Sequence, residues 1–360
     1  MGELPARWHS VRVLFLSVRP AKSTMNWLGV DIGGANLKLA DGREYAESHA
    51  FALWREPEAL AQRLRTCMAE APPSDHLVVT MTGELADCFD SKAAGVQFIL
   101  DAVESAADGR HTRVYLHTGK MVTPLVARRR PMEVAAANWH ALAQFSVRFG
   151  ERQPTLLLDV GSTTTDIVQL GSDRPAVCGL TDTERLLSGE LVYTGVARTP
   201  VCSVVSSVPY RGQHAPVAGE LFATMYDVYL LLSDLAEDLT DRNTADSRPA
   251  SKAAARVRMG RMICADSEHF NHRDAVTMAQ AVAECQVGRI AAAVKQVVPS
   301  PGELARVVLS GQGEFVAQRV LETLGISPEV VSLARELGRN ISRCAPAYAL
   351  AVMAREAAEP

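Results

Sequence analysis

Two segments of the chain share one pattern: an apolar strand that ends near an aspartate, a glycine-containing turn and a second strand. The first segment, LGVDIGGANLKLA at residues 28–40, carries Asp31, and the second, LLLDVGSTTTDIVQL at residues 156–170, carries Asp159. One such turn alone is commonly just a tight hairpin. Because a related turn opens each half of the chain, the sequence predicts two α/β units whose turns face each other across a cleft.

Apolar runs of strand length alternate with amphipathic helical patterns along the chain. Strands are predicted at about residues 28–32, 36–40, 77–81, 113–117, 155–159, 165–170, 176–180 and 306–310. Helical periodicity lies between them, as at residues 91–109, 131–150 and 273–298. The division that this order predicts is an extension at residues 1–25, a first domain at 26–152, a second domain at 153–340 and a C-terminal helix at 341–360.

The composition limits the partners and the compartment. The 360 residues, 48% of them hydrophobic, can fill two ordinary cores, and a formal net charge of −4 offers no basic footprint for nucleic acid or an anionic membrane. Seven cysteines without a CxxC pair indicate a reducing compartment. Cys264, His269 and His272 lack a fourth ligand at zinc spacing. We therefore expect a cytoplasmic protein that acts on small molecules, and the sequence leaves homo-oligomer formation open.

The two turns have the chemistry of a phosphate clamp. Glycines leave backbone N–H groups unobstructed, and serine and threonine add hydroxyl donors. An aspartate repels phosphate, but it can hold Mg²⁺ or its waters, which then bridge to phosphate oxygens. The candidate phosphate-binding residues are Gly33, Gly34, Asn36, Gly161, Ser162, Thr163, Thr164 and Thr165. The candidate magnesium ligands are Asp31, Asp159 and Asp166.

A third glycine-containing segment follows the strand predicted at residues 306–310. In ARVVLSGQGEFVAQRVLETLG, the residues Gly311, Gln312 and Gly313 lead into an amphipathic helix, where a base, ring or phosphate can approach the backbone. The three segments together resemble the actin–sugar kinase–Hsp70 superfold over about residues 26–355. This resemblance implies an α/β, two-domain, ribonuclease H-like fold with an interdomain cleft.

Longer motifs narrow the resemblance. They are TMTGELADCF (80–89), AAANW (135–139), TERLLSGELVYTGVARTPV (183–201), GELFATMYDVYLLL (219–232), TADSRPA (244–250) and RMICAD (261–266). In this order they resemble the hydantoinase A/oxoprolinase-related family, and within it the short branch linked to tetrahydromethanopterin-dependent one-carbon transfer. The resemblance implies a transferase of methanofuran or methylofuran-type coenzyme biosynthesis. Such an enzyme joins an aminomethylfuran-methyl diphosphate to the phenol oxygen of a tyramine-type acceptor and releases diphosphate.

That reaction suggests roles for particular residues. Lys38 would neutralise the leaving diphosphate, although a solvated hairpin lysine is the alternative interpretation. Glu84 would accept the phenol proton, with Glu190 and Glu220 as second choices, whereas a helix N-terminal carboxylate is the structural alternative. Mg²⁺ is the expected cofactor, and ATP is compatible with the turns but not required.

The acceptor side of the site is less defined. The candidate substrate-binding residues are Trp139, Lys120 and Glu220. Trp139 would stack on a furan or phenol ring, although a tryptophan at helical spacing is more often part of a core. Arg198 or Arg248 would bind a carboxylate of the acceptor. Ser247 in TADSRP departs from the glycine that the family motif has there.

Two other functions remain open from the sequence. An ATP-dependent small-molecule kinase, or a hydantoinase/oxoprolinase-like ring-opening enzyme, would use the same three glycine segments. A nucleotide-binding protein of actin or chaperone type would use them without a substrate reaction. Formation of ADP in proportion to product distinguishes the ATP-dependent enzymes from the diphosphate-releasing transferase.

Overall fold

The computed structural model describes residues 25–358, so the predicted extension lies outside the described residues apart from Met25. The strands are β1 (Trp27–Ile32), β2 (Asn36–Ala40), β3 (Ala46–Ala50), β4 (His76–Met81), β5 (His111–Tyr115), β6 (Met121–Val122), β7 (Thr155–Val160), β8 (Thr165–Leu170), β9 (Pro175–Ala176), β10 (Leu191–Val192), β11 (Ser207–Tyr210), β12 (Gln213–Pro216), β13 (Arg306–Ser310) and β14 (Glu329–Ser332).

The α-helices are α1 (Leu60–Glu70), α2 (Lys92–Ala106), α3 (Pro124–Ala127), α4 (Pro131–Val134), α5 (Asn138–Ser146), α6 (Asp182–Ser188), α7 (Val201–Val204), α8 (Met225–Leu231), α9 (Lys252–Arg261), α10 (His272–Val297), α11 (Glu314–Leu324), α12 (Leu333–Glu336), α13 (Arg339–Arg343) and α14 (Ala345–Ala358). No helix within residues 25–358 has the length and apolar character needed to cross a membrane.

The two large sheets have the same strand arrangement. The first has the order β3-β2-β1-β4-β5-β6, and the second has the order β10-β8-β7-β13-β14 with β9 paired to β8. In each sheet the first strand of a hairpin is antiparallel to its partner and parallel to a later strand: β1 lies between β2 and β4, and β7 lies between β8 and β13. The hairpin turns that carry the two aspartates therefore occupy equivalent places in the two sheets.

Both faces of the first sheet are covered, which explains its nearly continuous apolar strands. Leu28 and Val30 of β1 share a core with α1 and α2, whereas Val78 of β4 packs with Leu350 of α14 on the other face. A Cβ atom on Gly29 would lie 1.9 Å from the carbonyl oxygen of Ala347, so only glycine permits α14 to approach β1 this closely.

Helix α5 packs against both halves of the molecule. Its Leu142 lies in a core with Leu157 and Val168 of the second sheet, and its Ala141 packs with Leu350 of α14 near the first sheet. The opposite face of the second sheet is covered by the helices α8, α10 and α11. Helix α5 therefore connects the packing of the two halves. This packing holds the two hairpin turns on opposite sides of one cleft.

The polar loop at residues 238–250 is anchored to the second domain. Arg258 of α9 is fully buried and forms ion pairs with Asp227 at 2.6 Å and with Asp246 of the loop at 2.9 Å. Ser247 has a φ of +57°, in the left-handed region that favours glycine. This conformation explains why glycine is expected at the position in TADSRP.

Glycine at position 247 is therefore expected to stabilise the protein. Ser247→Gly removes the cost of a left-handed non-glycine residue, which is about 1 kcal/mol, and part of that gain is lost to the greater entropy of the unfolded chain. We expect an increase of about 0.5 kcal/mol in the free energy of unfolding, measured by urea denaturation. Ser247→Ala, which keeps the strained φ, is the matched control and should give no increase.

Candidate active site

The two hairpin turns line one cleft of about 620 Å³ between the sheets. The predicted residues that line it are Asp31, Gly33, Gly34, Asn36, Lys38, Trp139, Asp159, Gly161, Ser162, Thr163, Thr164, Asp166 and Arg198. These residues come from both halves of the chain, and the structure brings them together as the paired pattern predicts.

The first turn offers free backbone donors. The Gly33 N–H donates to the Asn36 carbonyl at 2.9 Å, which closes the turn, and the Gly34 carbonyl accepts from the Leu53 N–H at 2.9 Å. Within the described residues, the N–H groups of Gly34 and Ala35 have no backbone or side-chain acceptor. These two donors line the cleft and are suited to the oxygens of an anion.

The second turn is held in place by the segment that follows β10. The Gly161 N–H donates to the Thr164 carbonyl at 2.9 Å, and the Gly161 carbonyl accepts from Val196 at 3.0 Å. A Cβ atom on Gly195 would lie 2.5 Å from three backbone atoms of the turn, so glycine is required for this contact. The turn thus keeps a fixed shape, with the Ser162, Thr163 and Thr164 side chains along the cleft.

Thr165 differs from its three neighbours. Its side chain is fully buried, and its hydroxyl donates to the Thr194 carbonyl at 2.8 Å. Thr165 does not line the cleft in this structure, because it is the first residue of β8 and faces the core. It supports the second turn and does not contribute a phosphate donor.

The three aspartates surround a lysine on the floor of the cleft. Lys38 Nζ lies 3.9 Å from Asp31 Oδ2 and also lowers the pKa of Asp159. Burial and then the neighbouring Asp166 carboxylate raise the pKa of Asp159 to about 7, and burial raises the pKa of Asp31. This concentration of carboxylates in a buried place favours the binding of a cation.

Asp166 has a direct partner that the sequence interpretation missed. Arg185 of α6 forms an ion pair with Asp166 at 2.9 Å, and its guanidinium lies 3.8 Å from the centre of the Trp139 ring. Arg185 is 1% exposed. This pairing offsets the charge of Asp166, so its carboxylate is less available to a metal ion than those of Asp31 and Asp159, and its role as a magnesium ligand stays a prediction. The sequence signal was the motif TERLLSGE, in which Arg185 directly follows Glu184. Glu184 forms the helix N-terminal capping box with Thr181.

The aspartates do not converge on a single point. Within residues 25–358, the only three ligand-type side chains with atoms inside 4.8 Å of one another are those of Glu47, His49 and Glu70, which do not line the cleft. The carboxylates of Asp31, Asp159 and Asp166 therefore do not all come close enough to bind one ion directly. Cys264, His269 and His272 likewise form no such cluster.

Two contacts join the halves of the protein across the cleft. Lys92, at the start of α2, lies 2.5 Å from Asp182 at the start of α6. The Arg198 guanidinium lies 4.7 Å from the centre of the Trp54 ring, which belongs to the first half of the chain. All four residues line the cleft. Arg198 was predicted to bind the carboxylate of the acceptor, but neither its contact with Trp54 nor the Lys92–Asp182 pair was recognisable locally, because each contact joins segments far apart in sequence.

The third glycine segment lies behind the floor of the cleft. A Cβ atom on Gly311 would lie 2.7 Å from Asp159 Oδ1, and one on Gly313 would lie 2.4 Å from the Val160 side chain. Neither glycine nor Gln312 is part of the cleft lining. The two glycines allow the backbone of this segment to pack against β7. Glycine is therefore required at these positions because the backbone comes close to another strand, and not because it comes close to a ligand.

The remaining predicted residues do not line the cleft. Lys120 and Glu220 are exposed at other places. Arg248 is 60% exposed beside Asp246. Glu190 accepts from the Cys178 and Gly179 N–H groups and from the Ser188 hydroxyl, at 2.7 to 2.9 Å, so its carboxylate stabilises a turn.

Glu84 is buried beside the cleft wall. Its side chain is 1% exposed, and burial raises its pKa to about 8. The neighbouring Leu85 and Ala86 line the cleft, but Glu84 does not. Burial therefore favours the neutral carboxyl group at pH 7, and Glu84 lies behind the residues that line the cleft.

Matching sheets on either side of a polar cleft define a protein of the two-domain actin-like class, and the predicted fold is confirmed. A structure of acetone carboxylase, solved in a study of ATP-dependent acetone carboxylation, aligns with 91% of this chain and 70% of its own at 10% identity, with a TM-score of 0.51. The family model described as hydantoinase/oxoprolinase matches residues 75–357, and the chain belongs to this family.

Two relatives carry the same enzyme name, (4-{4-[2-(gamma-L-glutamylamino)ethyl]phenoxymethyl}furan-2-yl)methanamine synthase. The protein from Methanocaldococcus jannaschii is 31% identical over 329 residues, which cover 90% of this chain and 96% of the relative. The protein from Methanococcus vannielii is 29% identical over 200 residues, which cover 55% of this chain and 89% of the relative. The predicted family is confirmed, and the chain is an enzyme of the synthase type.

Proposed function

We propose that this protein is a transferase of methanofuran-type coenzyme biosynthesis. It joins an aminomethylfuran-methyl diphosphate to the phenol oxygen of a tyramine-type acceptor and releases diphosphate. The observation that carries the proposal is the likeness to a named ether synthase over 90% of the chain, combined with two anion-binding turns in one cleft. Fold alone would not support this substrate, because the same fold serves many reactions.

The reaction needs a site that stabilises a leaving diphosphate. The bond between the furan methylene carbon and the diphosphate oxygen breaks, and both electrons leave with the diphosphate. A bond between the same carbon and the phenol oxygen forms as the furan ring stabilises the developing positive charge. The donors of Gly34, Ala35, Ser162 and Thr163 are placed to bind diphosphate oxygens, and their fixed geometry stabilises charge as it develops.

The phenol proton must also be removed. Glu84 was the predicted base, but it lies outside the cleft lining. The oxygens of the departing diphosphate become more basic as the carbon–oxygen bond breaks. We therefore propose that the leaving diphosphate accepts the phenol proton, so that the reaction is balanced without a protein base.

The cleft fits Mg²⁺, which favours carboxylate and water ligands. Asp31 presents a buried carboxylate whose Oδ1 has no hydrogen-bond partner within residues 25–358, and the partly buried Asp159 presents a second carboxylate in the same cleft. These two residues would hold the ion directly or through its water ligands. The bound ion would supply positive charge to neutralise the diphosphate.

A glutamine at position 84 tests the buried acid directly. Glu84→Gln is expected to keep ether formation within about threefold of wild type, because both side chains are neutral at pH 7. The folded-state pKa of about 8 lies above the ordinary 4.5, so ionisation destabilises the wild type increasingly as pH rises from about 4.5 to 8. The variant should therefore be more stable than wild type at pH 9. A 100-fold loss of activity would restore Glu84 as the base.

Oxygen labelling tests which bond breaks. With ¹⁸O in the bridge between the furan methylene and the diphosphate, the proposal expects the label in the released diphosphate and none in the ether, by mass spectrometry. With ¹⁸O in the phenol, the ether should retain the label. Label from the bridge that stays with the furan would show attack at phosphorus and would contradict the proposal.

A second function is supported by the same cleft. The fold is shared with a protein of ATP-dependent acetone carboxylation, so an ATP-dependent kinase or ring-opening enzyme would have suitable phosphate turns. Gly311 and Gly313 lie behind Asp159, outside the cleft lining. This position argues against adenosine binding at the third segment, which an ATP-dependent enzyme of this fold would need.

A further inference from the structure

The basic residues of the cleft differ in whether a carboxylate neutralises them. In the part of the chain that the structure describes, four basic residues line it: Lys38, Lys92, Arg185 and Arg198. The first three lie 3.9, 2.5 and 2.9 Å from the carboxylates of Asp31, Asp182 and Asp166, respectively. Their charges are therefore partly or wholly offset before any substrate enters.

Arg198 is the exception. Within residues 25–358, no carboxylate oxygen lies within 4.0 Å of its guanidinium, and its side chain makes no hydrogen bond. Its side chain is exposed in the cleft, and partial desolvation lowers its pKa. The guanidinium contacts the face of the Trp54 ring, which offsets its charge only weakly. An unpaired guanidinium that lines the cleft is therefore available to an anion.

The backbone fixes this arginine beside the second turn. The N–H groups of Ala197 and Arg198 both donate to the Ser162 carbonyl, at 3.0 and 2.9 Å. Within residues 25–358, the N–H groups of Ser162, Thr163 and Thr164 in that turn have no backbone acceptor. The Arg198 side chain therefore originates next to the predicted phosphate donors, while its guanidinium rests on the opposite wall of the cleft.

We propose that Arg198 binds the leaving diphosphate of the substrate, and that Trp54 holds its guanidinium until the diphosphate arrives. This inference rests on the proposed function. The planar guanidinium forms paired hydrogen bonds with phosphate oxygens, which the paired Lys38 cannot provide. Arg198 thus takes the role that the sequence interpretation gave to Lys38, in place of binding the carboxylate of the acceptor.

Inorganic diphosphate is the probe for this role. In calorimetric titrations with Mg²⁺, Arg198→Gln should bind diphosphate at least tenfold more weakly than wild type, and Arg198→Lys should lie between them. Arg248→Gln, which removes an exposed arginine outside the cleft, is the matched control and should bind like wild type. Thermal melting of each variant verifies that it is folded, and Arg198→Lys retains the charge if Arg198→Gln is unstable.

Steady-state kinetics separate the two substrates. Arg198→Gln should raise KM for the furan diphosphate and lower kcat, while KM for the acceptor stays within about twofold. A rise confined to KM for the acceptor would assign Arg198 to the acceptor carboxylate and overturn the inference. Unchanged binding of diphosphate by Arg198→Gln would overturn it as well.

Tryptophan fluorescence provides a readout that a structural role would not move. Diphosphate should change the emission of the wild type as Arg198 leaves the Trp54 ring. The change should be lost in Trp54→Phe and in Arg198→Gln, although the other tryptophans remain. An equal change in all three proteins would contradict the proposed movement.

The two proposals fail separately. If diphosphate binding depends on Arg198 but no ether forms, the proposed function is wrong and the anion-binding role of Arg198 stands. If ether forms at wild-type efficiency in Arg198→Gln, the role of Arg198 is wrong and the proposed function stands.

Discussion

Asparagine in place of Asp159 is expected to lower ether formation by a factor on the order of 10³ while making the ligand-free protein more stable. The activity falls because Asp159 is a partly buried carboxylate on the cleft floor, where charge opposite to a bound cation is required. The stability rises because a desolvated aspartate beside Asp166 carries an unfavourable charge. Lower activity together with higher stability is expected when a residue serves the reaction at a cost to the stability of the fold.

The dependence on pH follows from the direction of the shift. The folded-state pKa of Asp159 is about 7, above the ordinary 3.8, because of burial and then of Asp166. The neutral form is therefore favoured by folding, and ionisation destabilises the wild type progressively as pH rises from about 4 to 7. Asp159→Asn should equal the wild type in stability at pH 4 and exceed it by about 1–3 kcal/mol above pH 7.

Magnesium should reverse this difference. A ligand that binds only the folded state raises the melting temperature. Mg²⁺ at neutral pH should therefore raise the melting temperature of the wild type and have little effect on Asp159→Asn, as followed by calorimetry. Asp173→Asn, which changes an exposed aspartate outside the cleft, is the control for nonspecific salt effects. An equal response to Mg²⁺ in wild type and Asp159→Asn would contradict a metal-binding role.

Replacing Arg185 with methionine is expected to cost about 3–5 kcal/mol of stability and most of the activity. The substitution leaves Asp166 as an unpaired charge in a largely buried place. Removing one partner of a buried ion pair costs more stability than replacing both partners. It also removes the guanidinium from the Trp139 ring and from the Glu190 carbonyl, which it contacts at 3.0 Å. Urea denaturation at pH 7 measures the loss.

A double substitution separates the ion pair from general damage. In Asp166→Asn with Arg185→Met, no charge is left unpaired, so stability should recover by at least about 1 kcal/mol relative to Arg185→Met alone. Equal stability of the single and double variants would show that the pair is not coupled. A decrease of less than about 1 kcal/mol in the free energy of unfolding of Arg185→Met would show that the Arg185–Asp166 pair does not stabilise the cleft.

The turns were predictable because their signals are local. A strand, an aspartate, glycines and a second strand occur within 15 residues, so the hairpins around Asp31 and Asp159 follow from periodicity and turn chemistry. The third segment shows where this reasoning fails. Glycine signals that a backbone must come close to something, but the sequence does not tell whether that is a ligand or, as for Gly313, the Val160 side chain.

The partners across the cleft were not predictable from local signals. The pairing of Arg185 with Asp166 depends on how α6 and β8 are placed by the second sheet, and the contact of Arg198 with Trp54 joins two domains. The burial of Glu84 was hidden for the same reason, because a Gly-Glu pair after a strand fits either an exposed helix start or a covered wall. Exposure and charge pairing are set by tertiary packing.

The central claim is that the cleft holds the substrate's own diphosphate. The most direct test incubates the purified protein with Mg²⁺, an aminomethylfuran-methyl diphosphate and γ-glutamyltyramine or tyramine, with and without ATP, and measures ether and diphosphate. We expect equal amounts of both products without ATP, and the loss of both in Asp159→Asn. No ether without ATP, together with ADP or phosphate formed in proportion to product when ATP is added, would contradict it and show that the turns hold a nucleotide.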